Sequence, residues 1–187
     1  MPARESEGPC DTPNLTITFS AQADLLLARG LAGASKAELV TKHLPLWMAC
    51  ELMTFGGMFT LYRGLAKPLQ QALAGQFGVA DTVFESWLRA LNQARNLCAH
   101  HARVWNRVFG LRPQIPRANK HPQWHQPVAI RDDRIFGLLS VLRYLLRQTA
   151  PASAWSERLK AVLAAYPDIP LADMGFPGGW EQSPIWH

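Results

Sequence analysis

A chain of 187 residues, 48% of them hydrophobic, has the length of one domain and the composition of a globular rather than a disordered protein. Three cysteines at unrelated positions, Cys10, Cys50 and Cys98, argue against a disulfide framework and for a reducing compartment. The net charge of +5 is unevenly spread: nine Lys or Arg, two acids and four of the six histidines fall between Arg89 and Arg134, a balance that suits a polyanionic partner or a solvated basic surface.

Residues 1–22, with three prolines in the first twenty and no helical period, are expected to form a flexible lead-in. No basic start followed by an apolar run opens the chain, so a secretory leader is not expected. SKAE at 35–38 matches a capping box. Pro45 sits at a first-turn position ahead of LWMACELMTF, an apolar segment whose one acid is Glu51, and Gly56 and Gly57 mark close packing or a kink. Pro68 opens a helix over PLQQALAGQF that Gly78 stops.

Asp81 is placed to cap the longest periodic segment, predicted to run from Thr82 to Val108. A connector with Pro113, Pro116, Pro122 and Pro127 follows, too proline-dense for regular structure and long enough to be a functional loop. Asp132 or Asp133 caps a helix on which Ile135, Leu138, Leu139, Leu142, Leu145 and Leu146 recur at helical spacing, and Ser153 caps a last one to about Ala165. The tail, with Trp180 and Trp186, is expected to pack as irregular chain, because exposed tryptophan is costly. LTITF at 15–19 alternates weakly and VAI at 128–130 is too short to be a strand. The pattern predicts an all-α bundle of about five to six helices, with residues 23–187 as one domain. The runs Leu44–Met53 and Phe136–Leu146 are too short or too interrupted by charge to span a bilayer, so a soluble, cytoplasmic protein without a membrane partner is expected.

Within the long helix, helical spacing aligns Leu88, Leu91, Arg95, Cys98, Ala102 and Trp105 on an apolar stripe that Arg95 interrupts. Asn96, His100, Arg103 and Arg107 form a polar stripe beside it. Arg95 and His100 lie about 140° apart on a regular helix, so they act together only if the helix end distorts or a second copy faces the first. Cys98 reads as core. Cys98, His100, His101, His121 and His125 offer zinc ligands, yet the adjacent histidines point about 100° apart and no paired-Cys motif supports them, so no metal and no cofactor are expected. No paired carboxylates and no Gly-rich phosphate loop occur. What remains is metal-free cleavage of RNA. His100 would move the proton of a ribose 2′-hydroxyl or of the leaving 5′-oxygen, Arg95 would hold the phosphate, and Asn96 would orient one of them.

RNLCAHHARVWNR at 95–107 resembles the signature of Abi-like proteins, the abortive-infection phage-defence family, whose HEPN superfamily pattern is Arg, a polar residue, a short spacer, then His. LPLWMACELMTFG at 44–56 and MGFPGGWEQSPIW at 174–186 resemble flanking blocks of the same family, so the likeness extends over about residues 43–187. Fewer residues precede the first block than in the family, so a shortened member is expected. The resemblance implies a helical bundle that pairs through the motif helix, metal-independent RNase activity, and use as a toxin in phage defence, with an antitoxin or a phage-derived trigger as a further partner. It implies Arg95, Asn96 and His100 as catalytic, with His101, Arg103, Asn106 and Arg107 contacting RNA phosphate and Trp105 as part of the same block. The alternative is a non-catalytic RNA- or nucleotide-binding helical module, or a partner-recognition protein.

Overall fold

A computed structural model describes residue 50 and residues 52–187. The lead-in, the capping box at 35–38, the LTITF segment and most of the Pro45-led segment lie outside the described residues. From Phe55 to His187 the chain forms one compact unit. It is all-α: α1 (Phe55–Gly64), α2 (Lys67–Gln76), α3 (Asp81–Ala99), α4 (Ile135–Thr149) and α5 (Trp155–Ala165), with short 3₁₀ turns at Pro122–Trp124, Leu171–Met174 and Trp180–Gln182. No strand occurs among the described residues, and none of their helices is long and apolar enough to cross a membrane.

α3 is the axis of the unit, with α1, α2 and α4 packed against it. Its inward face carries Phe84, Trp87 and Ala90, all buried, followed by Ala94 and Leu97. That face lies beside the predicted Leu88–Leu91–Arg95–Cys98 stripe, because the largest residue, Trp87, sets the rotation. Trp87, Trp124 and Tyr144 form a triangle of rings 5.4 to 5.5 Å apart. Trp87 also donates its indole N–H to the Gln114 carbonyl at 2.8 Å, which satisfies the one polar atom such a ring buries. Arg95 therefore stands exposed on the flank rather than in an apolar stripe, and Cys98 is exposed where the sequence places it in the core.

The predicted caps are spent elsewhere. Asp81 is the first residue of α3 rather than its cap, and its carboxylate pairs with Lys67. Asp133 accepts two bonds from Arg131, at 2.6 and 3.0 Å, and α4 starts one residue after Arg134. Ala154, not Ser153, precedes α5. In the first two cases a guanidinium or ammonium is the carboxylate's leading partner, and backbone N–H groups add to it.

α2 and α3 end the same way. Gly78 (φ 68°) lets Val79 N–H reach the Ala74 carbonyl at 3.2 Å while its own N–H reaches Gly75 at 2.9 Å. His101 (φ 54°) lets Ala102 N–H reach Leu97 at 2.9 Å while its own N–H reaches Cys98 at 3.0 Å. Both are Schellman turns, one on the expected glycine and the other on a histidine. The long helix thus stops at Ala99, nine residues before the predicted Val108.

Tertiary contact overrides the helical period there. Val104 and Phe109 join Ala90, Leu97 and Leu138 in a second small core. Arg134 donates to the Asn106 carbonyl at 2.7 Å, and Phe109 N–H to the Asp133 carbonyl at 3.0 Å. The proline-dense connector then runs back along α3, opposite to it. Leu111 N–H meets Gln93 Oε1 at 3.4 Å, and Gln114 N–H meets Ser86 Oγ at 2.9 Å.

The tail packs as expected, on the face of α4. Trp186 stacks on Phe136 at 5.6 Å and donates its indole N–H to the buried Ser140 hydroxyl at 3.0 Å. Trp180 meets Trp186 edge-on at 5.1 Å, and Arg147 holds the Pro184 carbonyl at 2.6 Å. Gly137 has a steric reason to be glycine, because a Cβ there would overlap the Arg131 carbonyl oxygen.

Candidate functional site

The outward side of α3, nearly opposite Trp87, carries Arg89, Asn92, Gln93 and Asn96 before reaching His100, the residue that caps the helix. With Phe59 of α1 and with Leu97 and Leu111 as apolar walls, these side chains enclose a groove of about 390 Å³. Its position follows from the early stop of α3. The Schellman turn leaves His100 with φ −94° and ψ 17°, exposed at the groove's end, and the returning chain supplies Leu111 as the opposite wall.

Asn96 connects the site. Its side chain lines the groove with His100, while its Oδ1 accepts a bond from Arg95 Nη1 at 3.1 Å. Arg95 itself stands beside the groove, not in its wall. The residues predicted as catalytic are thus contiguous: a guanidinium, an amide and an imidazole on one exposed rim. Arg95 and His100 make no direct hydrogen bond, in keeping with their angular separation.

The phosphate-binding candidates lie past the turn. His101 is exposed in the left-handed conformation, and Arg103 and Arg107 are exposed. Asn106 is half-buried, with its carbonyl held by Arg134. Trp105 is half-buried too. Since the helix ends at Ala99, Arg103 and Arg107 do not continue the Asn96–His100 stripe. That stripe runs in the other direction, through Gln93 and Asn92 to Arg89. The signal for those three was the same helical spacing, extended towards the N-terminus instead of towards Val108.

Charge on the basic segment divides into two classes. Arg89 pairs with Glu85 at 2.8 Å, Arg112 with Asp132 at 4.0 Å and Arg131 with Asp133 at 2.6 Å, while Arg134 serves the carbonyls of Asn106 and Asp173. The Arg131 guanidinium holds the Asp133 carboxyl below the ordinary carboxylate value, so that pair stays charged and internal. Arg95, Arg103, Arg107, Arg117 and Lys120 are exposed, make none of the ion pairs among the described residues and remain open to an external anion.

Among the described residues no carboxylate lines the groove, whose side-chain oxygen donors are the amides of Asn92, Gln93 and Asn96. Among the described residues no three of His, Cys, Asp or Glu converge, Cys98, His100, His101, His121 and His125 included. His125 has its ring nitrogen 2.7 Å from the Pro116 carbonyl, holding the connector.

Residues 32–106 match the family model described as Abi-like protein. The match takes in the LPLWM block and the motif as far as Asn106, and it leaves the 174–186 block outside. It begins earlier and ends far earlier than the likeness read from the sequence, and it covers well under half of the chain. Neither a curated protein nor a solved structure matches.

Proposed function

We propose that the rim formed by Arg95, Asn96 and His100 is the active site of a metal-independent endoribonuclease of the HEPN type, used in abortive infection against phage. The observation that carries this reading is the contiguity of the three groups: Asn96 bonds Arg95 and lines the same groove as His100. The Abi-like match over residues 32–106 supports it independently of the geometry.

The chemistry uses one guanidinium, its supporting amide and two imidazoles. The ribose 2′-oxygen attacks the adjacent phosphorus, and the bond from phosphorus to the 5′-oxygen breaks. The products are a 2′,3′-cyclic phosphate and a free 5′-hydroxyl. An imidazole takes the 2′-hydroxyl proton, and a second one returns a proton to the leaving oxygen. Arg95, whose Nη1 is held by Asn96 Oδ1, neutralises the charge that builds on the phosphoryl oxygens with its remaining N–H donors. One chain offers a single His100 on this rim, so two copies meeting at the ends of their α3 helices supply both proton-transfer groups. Arg103 and Arg107, exposed past the turn, hold flanking phosphates. An antitoxin or a phage-derived trigger acts on the same surface to keep the enzyme silent until infection.

The test is the nature of the product. The protein should cleave RNA in excess EDTA and leave 2′,3′-cyclic phosphate ends. A 2′-deoxy nucleotide at the cleaved position should abolish the cut without abolishing binding. Salt-dependent RNA binding with no products would instead identify a non-catalytic RNA-binding module.

A further inference from the structure

A second groove, of about 930 Å³, opens at the other end of α3. The returning connector brings Arg117, Lys120 and His121 to it, opposite Thr82 and Val83 in the first turn of α3. Its size falls within the range of about 300 to 1,000 Å³ typical of ligand pockets. Among the described residues Asp132 is the one acid in its lining, and it faces Arg112 at 4.0 Å; Asp81, at the start of α3, pairs with Lys67. Arg117 and Lys120 have no acid partner among the described residues, so their charge is available.

We infer that this groove is a second RNA subsite, which seats the phosphodiester backbone of single-stranded substrate flanking the cut. The inference rests on the ribonuclease reading above. Fourteen residues separate Thr82 from Asn96, a span of about 21 Å at about 1.5 Å per residue. At about 3.4 Å per nucleotide, the rise along one strand of a stacked duplex, that span holds at most about six nucleotides. The connector runs alongside α3 over this whole length, pinned at Gln93 and Ser86, so the two grooves keep a fixed separation. The enzyme therefore measures its substrate. RNA long enough to occupy both grooves binds tightly, and RNA confined to the His100 groove does not.

The test compares an RNA of about twelve nucleotides with a trinucleotide, because only the longer one spans about six nucleotides. Both carry 2′-O-methyl sugars, which block the attacking 2′-oxygen, so binding is read by fluorescence anisotropy whether or not the enzyme is active. In Arg117→Ala/Lys120→Ala, affinity for the long strand should fall at least about tenfold, and the salt slope of binding should shrink by about 1.4, for two lost contacts at about 0.7 each. Trinucleotide binding should stay unchanged. Arg117→Glu should reproduce the loss, and Arg158→Ala, on α5, should not. Equal losses on both lengths, an unchanged long-strand affinity, or an equal effect of Arg158→Ala would each overturn the inference. Should the wild-type protein cleave no RNA while the length-dependent binding holds, the catalytic reading fails and the subsite stands.

Discussion

The histidine at the end of α3 sets up a thermodynamic experiment whose control lies within the same molecule. His101 and Gly78 occupy the same position of the same Schellman turn, at φ 54° and φ 68°. A left-handed conformation costs a residue with a side chain about 1 to 2 kcal/mol, and glycine avoids that cost. Glycine returns part of the gain through its freer unfolded chain, about 0.5 to 1 kcal/mol. His101→Gly should therefore stabilise the protein by about 0.5 to 1 kcal/mol, with Tm rising by roughly 1 to 4 °C for a chain of this size. Gly78→His should destabilise it by a similar amount. That loss is backbone strain rather than collision, since a Cβ at Gly78 meets nothing closer than Tyr144 Oη at 3.7 Å. His101→Ala removes the imidazole but keeps the strain, so it should show no gain. Urea melts of the three variants, read against the wild type, test the whole set. A His101→Gly protein no more stable than wild type, alongside a neutral Gly78→His, would refute the strain account.

Three further outcomes follow from the packing and the charges. Gly137→Ala should cost at least about 2 kcal/mol by denaturant titration, because the new methyl overlaps the Arg131 carbonyl and the backbone has to shift. Trp186→Ala should cost about 3 to 5 kcal/mol and Ser140→Ala about 1 to 3, since the serine change leaves a buried indole N–H without its acceptor. The Asp81 carboxyl is held below its ordinary value, first by the hydrogen bond from Lys67. Its linked stability is thus complete above about pH 4, the unfolded value, and is lost as pH falls further through the lower folded value. Lys67→Met should flatten that acid limb of the stability curve and leave the slope above about pH 5 unchanged.

Local punctuation was the most readable part of the fold. Pro68, Gly78 and the apolar spacing of α4 mark their elements because proline geometry, glycine at positive φ and burial of one helix face are local effects. The aromatic tail was readable for a similar reason: Trp180 and Trp186 have to be covered by something. The end of α3 was not readable. No glycine or proline marks it, and residues up to Val108 keep a helical period. The stop comes from Val104 and Phe109 turning into a core shared with Leu138, a contact between distant parts of the chain. The same event decided which side residues were missed. Arg89, Asn92 and Gln93 share helical spacing with Asn96, but they gain meaning only once Leu111 folds back to wall the groove. Cys98 looked like core because the stripe it sits on was drawn through Arg95 instead of through Trp87.

Arg95 and His100 are proposed to cleave RNA without a metal. Single-turnover cleavage of RNA in excess EDTA, by the wild type and by Arg95→Ala/His100→Ala purified identically, tests it most directly. Each group is asked for a factor of about 10² or more, the scale of a general acid–base residue or of one charge-stabilising donor. The account predicts cleavage by the wild type and a rate at least about 10³ lower in the double variant, with the fold retained by circular dichroism. Cleavage by the double variant at the wild-type rate would contradict it.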